Sequence, residues 1–470
     1  MQRVFISAAH KSSGKTTLTL GLCAALNARG LSVAPYKKGP DYIDPMWLSR
    51  ASNNDCHNLD FQTMSNDEML ATISLYSKDA DISIIEGNKG LFDGVAIDGS
   101  NSNAAVAELT KSPVVLVIDT QGMTRGIAPL LLGYQAFNND INIAGVILNK
   151  VGGPRHEKKL RDVIKQYTNI TVVGAVPRLK ELNITERHLG LIPSNESADT
   201  DEVISKIAAV IEKHVDLELL QKIASTAEPL PKSSYQRPDE NKPLSLKVGI
   251  ARDAAFGFYY PGDLNAFKAA GVELVEFDTL KDKNLPEVDA LFIGGGFPES
   301  WMSELEANSS LRQQIKDAIE SGLPVYAECG GLMYLSKSIS WKDKTAQMVG
   351  AIPANIIMNE KPQGRGYVSL QQTQDVLWNK TKCNADVYAH EFHYSGFEDI
   401  SKLESNPNIK FAYEMKRGSG ITGMHDGLIY KNLVANYARL RDLGFSAIQS
   451  ILHFPERCLR SNSSRISFEE

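Results

Sequence analysis

Short apolar runs alternate with helical patterns through the first half of the chain. Val4-Phe5-Ile6, Val33-Ala34-Pro35-Tyr36, Ile82-Ser83-Ile84-Ile85, Val114-Val115-Leu116-Val117-Ile118 and Ile143-Ala144-Gly145-Val146-Ile147-Leu148 read as strands, and segments 17–29 and 128–137 between them have helix composition. Strands that are apolar at every position are those covered on both faces, so the alternation predicts an α/β fold built on a parallel sheet. The pattern breaks at 227–246, where Glu228-Pro229-Leu230-Pro231-Lys232-Ser233-Ser234 precedes Arg237-Pro238-Asp239-Glu240-Asn241-Lys242-Pro243. A proline-rich polar run of this kind predicts a linker. A second α/β pattern opens at Lys247-Val248-Gly249-Ile250-Ala251, with further strands expected at 290–293, 325–327 and 433–437. The expected organisation is a domain at 1–228, a linker at 229–245, a domain at 246–445 and a tail at 446–470 with a helical stretch and a polar end. There is no short-period repeat.

Composition narrows the classes. A chain of 470 residues, 43% hydrophobic, can fill two or three cores. Its formal net charge of −6 argues against a nucleic-acid binder. The five cysteines, Cys23, Cys56, Cys329, Cys383 and Cys458, are scattered without a CxxC pair. That excludes a disulfide framework or structural zinc site as the expectation and fits a reducing cytoplasm. The opening run from Met1 to Ser7 has no long apolar signal core, and no stretch approaches the ~18 apolar residues that span a bilayer. A cytoplasmic protein without membrane partners is expected.

The first candidate site follows the first strand. Ser7-Ala8-Ala9-His10-Lys11-Ser12-Ser13-Gly14-Lys15-Thr16-Thr17 lies between a strand and a helix, where a phosphate loop belongs. There Gly14 and its neighbours turn backbone N–H groups toward an anion, Lys15 neutralises it, and Thr16 or Thr17 offers a hydroxyl to Mg²⁺. The usual pattern begins with a glycine where this chain has Ala9. Two acidic clusters close the second and third predicted strands: Lys37-Lys38-Gly39-Pro40-Asp41-Tyr42-Ile43-Asp44-Pro45 and Glu86-Gly87-Asn88-Lys89-Gly90-Leu91-Phe92-Asp93-Gly94. Carboxylates at the C-terminal ends of adjacent parallel strands face the phosphate crevice, and Mg²⁺ takes oxygen ligands. Asp44 and Glu86 are the expected metal ligands; Asp41 and Asp93 serve substrate or metal. Asn149, at the end of a further strand, is placed either to read a nucleotide base or to do structural work.

The second candidate site is Cys329. In Pro324-Val325-Tyr326-Ala327-Glu328-Cys329-Gly330-Gly331-Leu332 an apolar run ends in a lone cysteine followed by two glycines. This predicts a strand-to-helix elbow presenting a nucleophile. Upstream, Phe292-Ile293-Gly294-Gly295-Gly296-Phe297-Pro298-Glu299 ends another strand in glycines. Backbone N–H groups of Gly295, Gly296 and Gly330 are the expected oxyanion donors.

Together these residues resemble the cobyrinate a,c-diamide synthase family. The similarity rests on Ser12-Ser13-Gly14-Lys15-Thr16-Thr17, on 38–45, on Glu86-Gly87 with Gly90-Leu91-Phe92-Asp93-Gly94, and on Arg187-His188-Leu189-Gly190-Leu191. In the second half it rests on 294–299, 328–332 and His390-Glu391-Phe392-His393-Tyr394-Ser395. It spans about residues 1–445. The resemblance implies a P-loop, dethiobiotin-synthetase-like domain followed by a class I glutamine amidotransferase-like α/β domain. It further implies ATP and Mg²⁺, an acidic tetrapyrrole as substrate, glutamine or ammonia as nitrogen donor, and allows a homodimer. Lys15 and Thr16 would hold phosphates and Mg²⁺, Asp44 and Glu86 the metal, and Asn149 the adenine; Asp41, Ile43, Glu86 and Asp93 match positions tied to substrate or catalysis. The a- and c-acetates of cobyrinate or hydrogenobyrinate are the first substrate expectation and sirohaem or another sirohydrochlorin derivative the second. A nucleotide-switched tetrapyrrole-binding protein without catalysis is the alternative of another class.

One position departs from the family. The run resembling Ala-Ser-Tyr-Leu-His-Leu-His is here Ala435-Asn436-Tyr437-Ala438-Arg439-Leu440-Arg441, so Arg439 stands where the family's glutaminase base is a histidine. Arginine stays protonated in proteins and cannot be a general base. His390, His393, His425 and His453 are the candidates to replace it.

Overall fold

The computed structural model describes residues 1–179, 182, 186–187, 190–196, 199–235, 245–377 and 386–441. Much of the expected linker, the whole of the expected tail, His188, Leu189, Cys383, His453 and Cys458 lie outside that set. The chain divides into two compact units, Met1–Tyr235 and Gln236–Glu470.

The first unit is a parallel sheet of seven strands: β1 (Gln2–Ala8), β2 (Val33–Lys38), β3 (His57–Leu59), β4 (Ile82–Glu86), β5 (Val114–Asp119), β6 (Ile143–Val151) and β7 (Thr171–Pro177). Their order across the sheet is β3-β2-β4-β1-β5-β6-β7, and every pairing is parallel. Alternate residues of β1 feed opposite cores: Val4, Ile6 and Ala8 join one cluster with helix α1 (Lys15–Ala28), and Phe5 joins the other with β5 and the helix Ile127–Phe137. That double burial is why the strands read as continuous apolar runs. β3 and β7 are additional to the expected strands, so the Glu86 strand is fourth in the chain rather than third. β3 has only three residues and β7 carries an internal glycine and a terminal proline, which hid both.

The second unit follows a small hairpin of β8 (Glu186–Arg187) and β9 (Gly190–Leu191) that still belongs to the first. Its strands are β10 (Lys247–Ala251), β11 (Phe256–Phe258), β12 (Glu273–Phe277), β13 (Ala290–Ile293), β14 (Gly295–Gly296), β15 (Val325–Glu328), β16 (Ser336–Trp341), β17 (Lys344–Gln347) and β18 (Ile352–Met358), then β19 (Gly364–Gln372), β20 (Asp386–His393), β21 (Ser395–Phe397), β22 (Lys410–Arg417), β23 (His425–Tyr430) and β24 (Leu433–Asn436). Nine form one sheet, β12-β10-β13-β15-β24-β23-β22-β19-β20. It is parallel from β12 through β24 and antiparallel from there to β20. The parallel half contains the strands expected from apolar runs. The antiparallel half was not anticipated, because β19, β20 and β22 mix polar and apolar positions as half-exposed strands do.

One buried cation anchors the end of the first unit. Arg3, 1% exposed on β1, donates from Nε to the Thr110 carbonyl at 2.7 Å, and from Nη2 to the carbonyls of Lys111 and Glu228. The segment beginning at Glu228 is thereby tied to the sheet, and the Ser233 hydroxyl extends the attachment by donating to the Asp67 carbonyl at 2.7 Å. Replacing Arg3 by leucine strands these carbonyls without a donor. Arg3→Leu is expected to lower unfolding free energy by about 1–3 kcal/mol and to speed proteolysis within 226–235. Urea denaturation with limited proteolysis checks this; a loss below ~0.5 kcal/mol with an unchanged cleavage pattern would contradict it.

Candidate active site

The loop between β1 and α1 is built for an anion. Gly14 sits at φ 83°, a left-handed conformation that costs a glycine nothing, and a side chain there would run into the Asn149 amide. Asn149 Nδ2 donates to the Ser13 carbonyl at 2.8 Å and its Oδ1 accepts from the Lys150 N–H at 2.9 Å. Its amide therefore braces the loop from β6. Ala9 causes no strain where a glycine was expected, because its φ is not positive; its N–H bonds the Val117 carbonyl at 3.1 Å. Thr17 follows on α1, half-buried.

The sheet order converts separate sequence motifs into one cluster. β4 lies between β2 and β1, and Glu86 is level with Lys37 on one side and Ile6 on the other. Glu86, wholly buried, accepts on Oε1 from Lys15 Nζ at 2.7 Å, Lys37 Nζ at 2.8 Å and Thr16 Oγ1 at 2.8 Å. Thr16 Oγ1 also lies 3.2 Å from Asp44 Oδ2. Lys37 pairs with Asp44 and stands 3.7 Å from Asp41. Asp41 Oδ1 accepts from the N–H groups of Ile43 and Asp44 at 3.0 and 3.2 Å, fixing the first turn of α2 (Ile43–Ser52) so that Asp44 faces Thr16.

These contacts set the charges. Burial opposes the Glu86 carboxylate, but two ammonium groups outweigh it and hold its pKa at about 2. Burial likewise opposes charge on Lys37, yet Asp44, Glu86 and Asp41 lift its pKa well above the usual lysine value. Lys15 is pushed down, by burial and by Lys37 against the pull of Glu86. Asp41 is pushed up to about 7, first by burial and then by Asp44; its side chain is 35% exposed, so water tempers that push. Lys37 was missing from the expected site. Its signal was a charged residue in a strand otherwise buried throughout.

The expected metal ligands, Thr16, Asp44 and Glu86, are brought together. Glu86 Oε2 is buried and has no hydrogen-bond partner, so an acceptor is left over for a cation. Among the described residues no three carboxylate, histidine or cysteine side chains form a ready cage. Mg²⁺ does not need one, since it commonly takes one or two carboxylates beside phosphate and water. The set fits that ion. Asp93 is exposed, with Oδ2 accepting from the Gly90 N–H at 2.9 Å, and so stands at the outer edge of the site.

In the second unit Cys329 forms the turn between β15 and a six-residue helix, Gly330–Leu335. The strain sits on the cysteine itself, at φ 49° and ψ −103°. The glycines that follow serve close packing instead, with Gly330 against the backbone of Gly296 and Gly331 against the Ile293 carbonyl. The Cys329 N–H donates to the Asn436 carbonyl at 2.7 Å, and Sγ lies 3.9 Å from the Phe392 carbonyl. Gly295 and Gly296 pair with β11. The Arg439 guanidinium rests on Gly295, where a side chain would strike it, and 5.2 Å from the Phe258 ring.

Arg439 thus occupies the elbow region beside the expected oxyanion donors. His390 is its backbone partner across a bridge, at 2.8 and 3.4 Å; burial and Arg439 depress its pKa to about 4, leaving it neutral at pH 7. His393 stacks on Tyr437 at 3.8 Å, bonds the Ser395 carbonyl at 2.8 Å, and faces Glu391 at 3.7 Å. His425 lies on β23, stacked on Phe411. Glu328 was not anticipated. Burial lifts its pKa to about 7 against the Tyr326 hydroxyl, which donates to it at 2.7 Å, and against Arg439.

Comparison with known proteins places this geometry. Residues 5–192 match the CobQ/CobB/MinD/ParA nucleotide binding domain, and 247–440 match the CobB/CobQ-like glutamine amidotransferase domain. A cobyrinate a,c-diamide synthase of Magnetococcus marinus is 45% identical over 448 residues, covering 93% of each chain. Proteins of the same name from Archaeoglobus fulgidus and Methanosarcina barkeri are 39% identical over 447 residues and 38% over 488. The first covers 95% of both chains; the second covers 96% of this chain and 95% of its own. No helix among the described residues is long and apolar enough to cross a membrane.

The Asp41 shift has a consequence for stability. Its folded pKa, about 7, lies above the ordinary aspartate value of about 4. Its contribution is therefore complete below about pH 4 and is lost as pH rises through about 7. Asp41→Asn is expected to flatten the pH dependence of stability over that window in the ligand-free protein. Chemical denaturation at stepped pH checks this, and equal slopes for variant and parent would contradict it.

Proposed function

The chain belongs to the cobyrinate a,c-diamide synthase family, and on that premise we propose that it amidates the a- and c-acetate carboxylates of a cobyrinate-type tetrapyrrole at the expense of ATP. The observation that carries the reading is the Lys15–Glu86–Lys37 cluster, with Thr16, Asp41 and Asp44, on a nucleotide-binding domain joined to a cysteine elbow.

A carboxylate is a poor electrophile. Its oxygen attacks the terminal phosphorus of ATP, the bond to the bridging oxygen breaks, and ADP leaves; the acyl phosphate then loses phosphate to ammonia. The loop N–H groups and Lys15 hold the phosphates, and Lys37 places a second positive charge where negative charge accumulates. Thr16, Asp44 and Glu86 would hold Mg²⁺, which would supply further charge neutralisation at the phosphates. Asp41 and Asp93 orient the acceptor or take a proton from the incoming ammonia. Asn149, while bracing the loop, keeps an N–H for the adenine. These substrates suit the cytoplasm.

In the second unit, Cys329 is the nucleophile for glutamine, and Gly295, Gly296 and Gly330 line the oxyanion position. Arg439 cannot relay the proton that leaving ammonia needs. The chain therefore favours free ammonia over glutamine.

Incubation with ATP, Mg²⁺, cobyrinate and ammonium, read by mass spectrometry, is expected to yield a diamide, and Lys15→Ala to abolish it. Product from sirohaem alone moves the substrate to the sirohydrochlorin branch. ATP turnover without any amide contradicts the enzyme reading and favours a nucleotide-switched binding protein. Separately, Arg439→His is expected to raise kcat/KM for glutamine by about tenfold or more while leaving ammonium-driven rates unchanged. Efficient glutamine use by the parent, abolished in Cys329→Ala, would contradict the ammonia preference and point to another base.

A further inference from the structure

The helix Ile127–Phe137 has an inner face of Ile127, Ala128 and Leu131 packed in the core. Its solvent-facing positions, Pro129, Leu132, Gly133, Ala136 and Phe137, are apolar too. Surface helices carry polar residues there, and a contiguous apolar patch marks a binding surface. Phe137 is 75% exposed, its ring 4.7 Å from that of Phe92, which in turn is 5.4 Å from that of Tyr134.

This aromatic row reaches the phosphate loop. The Tyr134 hydroxyl donates to the Ala9 carbonyl, and Phe92 adjoins Asp93, which holds the Gly90 N–H. Exposed Lys89 lies in the same loop, close enough to Lys38 for their charges to repel. The shelf therefore combines an open apolar face, a neighbouring cation and direct contact with the loop where phosphate is expected.

We propose that Phe92, Tyr134 and Phe137 seat the tetrapyrrole macrocycle, with Lys89 meeting one of its peripheral carboxylates. The inference rests on the substrate reading above and deepens it. A flat conjugated ring with acidic arms needs an apolar surface for its face and a cation at its rim. The arm to be phosphorylated must reach the phosphate loop while the ring stays outside, and the shelf borders that loop through Ala9. A nucleotide base or a second copy of the chain are the competing occupants.

Titration of the full chain with cobyrinate, followed by visible absorbance, tests the seat. Phe137→Ser is expected to weaken cobyrinate binding about tenfold, Phe137→Trp to retain it, and Lys89→Ala to weaken it in a salt-sensitive way. ATP affinity and oligomeric mass should stay unchanged in all three. Unaltered cobyrinate affinity in both Phe137→Ser and Lys89→Ala, with a parent that binds, overturns the seat alone. Weakened ATP binding assigns the shelf to the base, and a change in mass assigns it to a second copy; either overturns the proposal. A parent that binds no cobyrinate overturns the substrate reading, and the seat with it.

Discussion

A wholly buried carboxylate held between two ammonium groups organises the first unit. Glu86 meets Lys15 and Lys37 through the same oxygen, at 2.7 and 2.8 Å. Removing one member of such a set leaves an uncompensated buried charge, which costs about 3–5 kcal/mol. The contacts exist only because β4 lies between β1 and β2. That strand order brings the phosphate loop after β1, the lysine ending β2 and the acid ending β4 to one point. Asp41 and Asp44 complete the balance from the start of α2. Phosphate entering this crevice meets ammonium groups already committed to carboxylates, so an added cation can offset the charge it brings.

The second unit is organised around the turn at Cys329 in a comparable way. β15 and β24 are neighbouring parallel strands, and the residues just beyond β24 reach the cysteine turn and the Gly295 strand. Where a titrating imidazole is expected, the chain places a permanent cation resting on Gly295. The geometry of an elbow is retained, and a guanidinium stands in place of the expected imidazole. Burial lifts the pKa of Glu328 and depresses that of His390, while the Arg439 cation pulls both downward.

Most parallel strands of both units were legible in the amino-acid sequence, because doubly buried strands have little choice but continuous apolar residues; the short β3, the glycine- and proline-bearing β7 and the half-exposed β12 were not. Positions that depend on how distant strands meet were not. Lys37 looks like any lysine near a turn until β2 is placed beside β4. Asn149 reads as a base-contacting amide, and its second task, bracing the phosphate loop by donating from Nδ2 to Ser13, shows only once β6 is placed beside that loop. At the Cys329 elbow the positive φ falls on the cysteine itself, while the two following glycines permit close backbone packing. The antiparallel strands β19, β20 and β22, each with exposed and half-exposed positions, lack the signal that betrayed β13 or β15.

Carboxylate activation in the first unit is the step on which the amidation depends. The most direct measurement uses cobyrinate labelled with ¹⁸O in its acetate carboxylates, with unlabelled ATP and ammonium. Transfer through an acyl phosphate predicts one labelled oxygen in inorganic phosphate for each amide formed. Amide formed with only unlabelled phosphate would contradict it.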